Sequence, residues 1–166
     1  PEQAHINEVF RAADTIVLSR VLYEAIVPCW EIVAAGQVPD DVPEVSATFQ
    51  EFAGILSGLR KVVISRTWPA TDERPVINGD LVAELQDLKA QEGEADILLA
   101  AGPQTLGPVV STPGLVDEYV IAVHPAVLAS GPQLFGQLTT DLALTLVDAT
   151  SFDGGVVVLR YQVVVR

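Results

Sequence analysis

Three short apolar runs recur along the chain: Thr15-Ile16-Val17-Leu18, Val62-Val63-Ile64 and Ile97-Leu98-Leu99-Ala100. Each is continuous rather than alternating, too short for a buried helix, and separated from the next by segments of helical period. Strands that are apolar on both faces and alternate with helices belong to a parallel sheet. That pattern excludes an all-helical bundle and a β-sandwich.

The connecting segments fill in the order. Ile6, Val9, Phe10 and Ala13 lie at i, i+3, i+4 and i+7, the stripe of an amphipathic helix. Val21 to Ile26 is predicted as a helix stopped by Pro28, and 28–45, with Pro28, Gly36, Pro39 and Pro43, as a loop. Phe49, Phe52, Ala53 and Leu56 mark a helix ending near Gly58, and Trp68 to Asn78 reads as a turn-rich connection. Asp80 is the expected cap of a helix carrying Leu81, Val82, Leu85 and Leu88 inward and ending near Gly93. A short helix reaches about Val110, and Gly114 closes a turn. The pattern then changes to strands at 118–124, 142–148 and 156–165, with Asp153-Gly154-Gly155 as the last turn. The expected fold is α/β: a single domain over 1–166 with one mixed sheet, parallel at first and antiparallel in its C-terminal hairpin, flanked by helices. Val17, Val63 and Leu98 are expected among the most buried residues.

Charge narrows the partners. Asp and Glu number 22 against 9 Lys and Arg, a net charge of −13. Such a chain repels nucleic-acid backbones and anionic membranes. No apolar run approaches the length of a membrane-spanning helix, and the polar start Pro1-Glu2-Gln3-Ala4-His5 lacks the basic region of a signal peptide. The lone Cys29 fits a reducing, cytoplasmic setting and reads as a small partly buried side chain rather than a nucleophile. No metal-ligand spacing stands out.

In a chain this acidic, an anionic ligand must be met by local cations. Two of the few arginines follow buried strands, in Ser19-Arg20 and Ser65-Arg66, and the third strand runs into Ala101-Gly102-Pro103-Gln104. In a parallel sheet these ends share one edge, where open α/β sheets bind ligands. A hydroxyl and a guanidinium suit a phosphate, a helix N-terminus offers free N–H groups, and Gly102 allows close approach of a pyrophosphate. The alternative is that these arginines close strand ends and pair with acidic neighbours. Tyr23 and Trp30, downstream of the first Ser-Arg pair, are candidates for a substrate pocket, with core packing as the competing role. His124 and the carboxylates Glu2 and Glu8 read as structural or solvated, which leaves the catalytic acid unknown.

Several segments together resemble the dihydrofolate-reductase-like superfamily, in particular the reductase (RibD C-terminal) domain of bacterial riboflavin biosynthesis. They are Ala13-Asp14-Thr15-Ile16-Val17-Leu18-Ser19-Arg20-Val21-Leu22-Tyr23-Glu24, Lys61-Val62-Val63-Ile64-Ser65-Arg66-Thr67, Ala101-Gly102-Pro103, Gly114-Leu115-Val116-Asp117-Glu118-Tyr119, and His124-Pro125-Ala126-Val127-Leu128 through Phe135. The closing hairpin, 147–161, is similar as well. The sequence departs from the family pattern at Ser19, Leu22, Ala101 and Ala129, and it starts at the helix that follows the family's first strand, which is expected to be missing.

The resemblance implies a dihydrofolate-reductase-like fold, NADPH as cofactor, and hydride transfer to a small heterocyclic or ribosylamino substrate. The model activity is that of a 5-amino-6-(5-phosphoribosylamino)uracil reductase. It places Ser19-Arg20 and Ser65-Arg66 beside the adenosine phosphates and Ala101-Gly102 beside the pyrophosphate. It also implies a homodimer, which the apolar runs Val156-Val157-Val158-Leu159 and Val163-Val164-Val165 independently suggest. A non-catalytic ligand-binding module on the same fold is the alternative.

Overall fold

A computed structural model describes residues 2–39, 44–91, 93 and 95–164; Pro1, Pro43 and Val165, invoked above, lie outside these. The chain divides into two compact units, 1–101 and 102–166. The first contains α1 (Glu2–Arg11), β1 (Ala13–Ser19), α2 (Arg20–Ala34), α3 (Ala47–Gly58), β2 (Arg60–Ile64), β3 (Val76–Ile77), α4 (Leu81–Lys89) and β4 (Asp96–Ala100). The second contains α5 (Pro103–Val110), β5 (Glu118–Val123), β6 (Leu144–Ser151) and β7 (Val157–Val163).

The α/β class holds, with parallel strands first and antiparallel strands last. The hydrogen bonding nonetheless forms two sheets, β3-β2-β1-β4 and β5-β7-β6, rather than one. Among the described residues β4 pairs with β1 and β5 pairs with β7, and no strand joins β4 to β5.

In the first unit β1 is flanked on both sides by parallel partners. Thr15, Ile16, Val17 and Leu18 are all buried in succession, so both faces of the sheet are covered. Ile16 and Leu18 belong to a cluster with Val27 of α2, Phe52 and Leu56 of α3, and Leu59. Edge-on aromatic contacts extend it, Phe10 to Phe52 at 5.0 Å and Trp30 to Phe52 at 4.9 Å. Val17 and Val63 are fully buried as expected. Leu98 is only half-buried, because β4 lies at the edge of this sheet.

Pro28 does not stop its helix: α2 runs through it to Ala34. An interior proline removes one backbone bond and costs about 3 kcal/mol. Here its ring is exposed, so water can serve the freed carbonyl, while Val27 and Val33 are buried on either side of it. Packing of the apolar face outweighs the local penalty. The Trp68–Asn78 connection holds one element that its turn residues concealed, the two-residue strand β3. Its pairing with β2 is extended by bonds from the Val63 N–H to the Pro75 carbonyl and from the Ser65 N–H to the Ile77 carbonyl. Asp80 caps α4 as expected, accepting from the Val82 and Ala83 N–H groups. In the second unit, Gly114 and Gly155 adopt φ of 73° and 81° at the turns predicted for them. Strand β6 starts two residues later than predicted, and its pairing with β7 shifts between Leu146 and Asp148.

One buried polar side chain ties α1 to α3. Asn7 is fully buried; its amide N–H groups donate to the Thr48 carbonyl at 3.0 Å and Glu51 Oε2 at 2.9 Å, and its Oδ1 accepts from Gln3. Arg11 pairs with the other oxygen of Glu51. The Asn7 bond first, and Arg11 second, hold the Glu51 carboxyl below its ordinary value. Asn7→Ala removes three hydrogen bonds made by a fully buried side chain and should cost about 1–3 kcal/mol in chemical denaturation. Because the folded state depresses the Glu51 value, its contribution is present above the ordinary glutamate pKa and is lost as pH falls through the folded one. Denaturation below that ordinary value should therefore be less pH-dependent in Glu51→Gln than in the parent.

Candidate functional site

The register of the first sheet decides which sequence candidates share an edge. Ser19 pairs with Ile64, and Leu18 pairs with Ala100. Ser65 and Arg66 therefore lie one and two residues beyond the row of Ser19, and Ala101 continues directly from Ala100. Ser19, Arg20, Ser65, Arg66 and Ala101 all stand at the C-terminal edge of three adjacent parallel strands, as the sequence predicts.

Both serines shape the turns that follow them. Ser19 is the N-cap of α2, its Oγ accepting the Leu22 N–H at 3.4 Å. Ser65 is buried, and its Oγ accepts the N–H groups of Thr67 at 3.3 Å and Trp68 at 3.1 Å. These bonds turn the chain sharply after each strand and leave the next residue, an arginine, at the surface. Each hydroxyl keeps its own proton to donate.

The two arginines differ. Arg20 approaches Glu24 of the same helix at 3.9 Å, with both side chains nearly half exposed. Such a contact is worth little in water. Arg66 is exposed, and its guanidinium has no hydrogen-bond or ion-pair partner among the described residues. It is the more available cation at this edge.

Ala101 ends the first unit and Gly102 opens the second. Gly102 is the N-cap residue of α5, Pro103 is its first residue, and Gln104 lies in its first turn. The Gly102 carbonyl accepts from Thr105 and Leu106, Pro103 carries no N–H, and no side chain caps the helix, so among the described residues the first turn is left with one unpartnered backbone donor, the Gln104 N–H. Gly102 has φ −70°, and a Cβ added there would meet nothing within 4 Å. Neither backbone strain nor protein packing requires glycine at this position. Open space beside a bare backbone does fit an approaching phosphate, whereas Ala101 just before it, one of the departures from the family pattern, adds a Cβ.

The aromatic candidates separate. Tyr23 lies on the first turn of α2 and meets Trp68 edge-on at 5.7 Å. Trp30 stacks on Phe49 and packs against Phe52 in the α2–α3 interface, ten residues and about 15 Å along the helix from Arg20. The structure does not bring Trp30 to the Ser-Arg edge. Sequence reasoning passed over Arg74, whose guanidinium lies 4.3 Å above the Trp68 ring; the turn-rich stretch around it carries no periodicity to signal the contact. His124 follows β5 in the second unit. Among the described residues no three His, Cys, Asp or Glu side chains group as metal ligands, and no helix is long and apolar enough to cross a membrane.

Comparison with known proteins bears on the family and the fold. The model of the RibD C-terminal domain family matches residues 1–158. The uncharacterized protein YyaP of Bacillus subtilis (strain 168) is 32% identical over 116 residues, 69% of this chain and 61% of that protein. The chain thus spans about three fifths of that relative. Among solved structures, a putative riboflavin biosynthesis protein from Shewanella sp. PV-4 aligns with a TM-score of 0.64 at 19% identity, covering 95% of this chain and 77% of that one. A deaminase/5-amino-6-(5-phosphoribosylamino)uracil reductase from Thermotoga maritima aligns at 0.61 and 12% identity, covering 96% and 48%. Schistosoma mansoni dihydrofolate reductase aligns at 0.53 and 14% identity, covering 98% and 84%. The fold is of the reductase type that these structures share, and the chain belongs to the RibD C-terminal domain family.

Proposed function

We propose that this chain is an NADPH-dependent reductase that reduces a small heterocyclic or ribosylamino substrate. The observation that carries this reading is the Arg66 guanidinium, unpaired among the described residues, at the C-terminal edge of a parallel sheet, in a fold shared with a named reductase. A bound NADPH would supply the hydride, so the protein's part is to hold and orient. Ser65 and Arg66, with Ser19 and Arg20, would hold the adenosine phosphates, and Ala101, Gly102, Pro103 and Gln104 the pyrophosphate. Tyr23 remains the substrate-side candidate, Trp30 being held by Phe49 and Phe52 in the α2–α3 interface, and no side chain is assigned as proton donor.

The far field of a chain of net charge −13 repels the 2′-phosphate, so local arginines must overcome it. One charge-assisted contact contributes roughly 1.5–3 kcal/mol. Arg66→Ala should therefore weaken NADPH by about ten- to a hundredfold, leave NADH nearly unchanged, and lose less at high salt. Titration followed by nicotinamide fluorescence measures this. Equal losses for both nucleotides would remove Arg66 from the 2′-phosphate, and a full-length protein that binds neither would be the non-catalytic module instead. Gly102→Ala gives a second check. Its melting should stay within about 0.5 kcal/mol of the parent, since the new Cβ meets nothing, while NADPH binding should fall.

The same reading includes a homodimer. Residues directly opposite in an antiparallel pair share a face, which places Tyr119, Ile121 and Val123 beside Tyr161, Leu159 and Val157. Leu146 joins them opposite Tyr161. This face of the second sheet is mostly apolar, with Ser151 opposite Val157, yet Val123 is 49% exposed and Leu146 53%. Light scattering should give twice 17.7 kDa at micromolar concentration, and Leu146→Asp should shift the mass toward the monomer. A monomeric parent would reject the dimer.

A further inference from the structure

The first unit concentrates positive charge at a second place, away from the Ser-Arg edge. Arg60 and Lys61 begin β2, whereas Arg66 follows its end. With Arg74 and Thr71 they line an open groove of about 510 Å³ beside α2. Elsewhere Arg11, Arg20 and Arg160 sit against glutamates. Arg60, Lys61 and Arg74 have no carboxylate within ion-pair distance among the described residues.

Arg74 is set in place before any ligand arrives. Its backbone closes a tight turn with Thr71 through two reciprocal N–H to carbonyl bonds of 3.1 Å, and its N–H also donates to Thr71 Oγ1. The flat face of its guanidinium lies on Trp68, which is itself held edge-on by Tyr23. Yet the guanidinium makes no hydrogen bond among the described residues, and its Nε is buried without a partner. A buried donor left unmade costs free energy that a ligand oxygen can recover. Lys61 is partly satisfied: its ammonium donates to the carbonyls of Ser57 and Leu59 at 3.2 Å each, which leaves one of its three N–H groups. Burial draws its pKa down and Glu31 opposes this. Arg60 is exposed, and among the described residues its one hydrogen bond is to Gln91 Oε1, at 3.4 Å.

We propose that this groove is an anion-binding site, distinct from the Ser-Arg edge, in which Arg74, Arg60 and the free N–H of Lys61 hold one phosphate-class oxyanion. A stacked guanidinium presents its fork edgewise, the geometry that suits two oxygens of one phosphate. Glu31 and Glu73 also line the groove. They offset two of the three positive charges and restrict the site to a small anion, since a polyanion would meet both carboxylates and the negative field of the chain.

Inorganic phosphate and pyrophosphate, titrated into the whole chain at fixed ionic strength, test this by calorimetry and by the fluorescence of Trp68 beneath Arg74. Saturable binding is expected, weakened at least about tenfold in Arg60→Ala and in Arg74→Ala; in Arg66→Ala, where any binding at the Ser-Arg edge is lost, a saturable component that responds to Arg60→Ala should persist. Arg60 is exposed, so its variant keeps the fold even if loss of the Arg74 stack lowers stability. A folded parent that shows no saturation at millimolar phosphate overturns the proposal. So does saturable binding that survives Arg60→Ala and is lost in Arg66→Ala, which would place the anion at the Ser-Arg edge.

Discussion

Strand β1 is hydrogen-bonded on both sides, and the placement of functional groups in the first unit depends on its register. Ser19, Ser65 and Ala101 reach one edge together because Ser19 is set against Ile64 and Leu18 against Ala100. A slip of one residue would turn Ile16 and Leu18 away from Val27, Phe52 and Leu56 and carry Thr15 and Val17 into their place. Burial of all four residues, 15–18, prevents that slip. The same packing that stabilises the unit also aligns the turns that display Arg20 and Arg66.

What was legible in the sequence was what periodicity encodes. Continuous apolar runs marked β1, β2 and β4, and Asp80 and the glycines marked their cap and turns. Pro28 misled because helix-breaking is a local tendency, and burial of Val27 and Val33 on the same helix is a tertiary one. Strand β3 escaped notice because two residues carry no period. Leu98 appeared interior because an apolar run does not reveal whether its strand is central or at an edge. The Ser-Arg edge was legible since each pair follows a recognisable strand. The groove of Arg60, Lys61 and Arg74 was not, because a turn and an aromatic ring bring Arg74 to its position, and neither has a sequence period.

The serines illustrate how one residue type serves two levels. Read as sequence, Ser19 and Ser65 were phosphate donors. In the structure their oxygens first accept backbone N–H groups and so bend the chain. Their contribution to any anion then passes partly through the arginines they expose. Arg66 and Arg74 share a consequence of the acidic composition: in a chain where Arg11, Arg20 and Arg160 sit against glutamates, a guanidinium without a carboxylate marks a place where charge remains available.

Strand β6 has one further consequence. Among the described residues it pairs only with β7, so one side of an eight-residue ladder is left open. Leu146 and Val147 lie on it half exposed. A straight, open, apolar edge is a template for adding foreign strands without limit. The shift between Leu146 and Asp148 interrupts that template where it is most hydrophobic, and the Asp148 carboxylate, accepting from Thr150 Oγ1, follows directly. An irregularity that weakens one sheet locally thus also makes this edge a poorer template for a foreign strand.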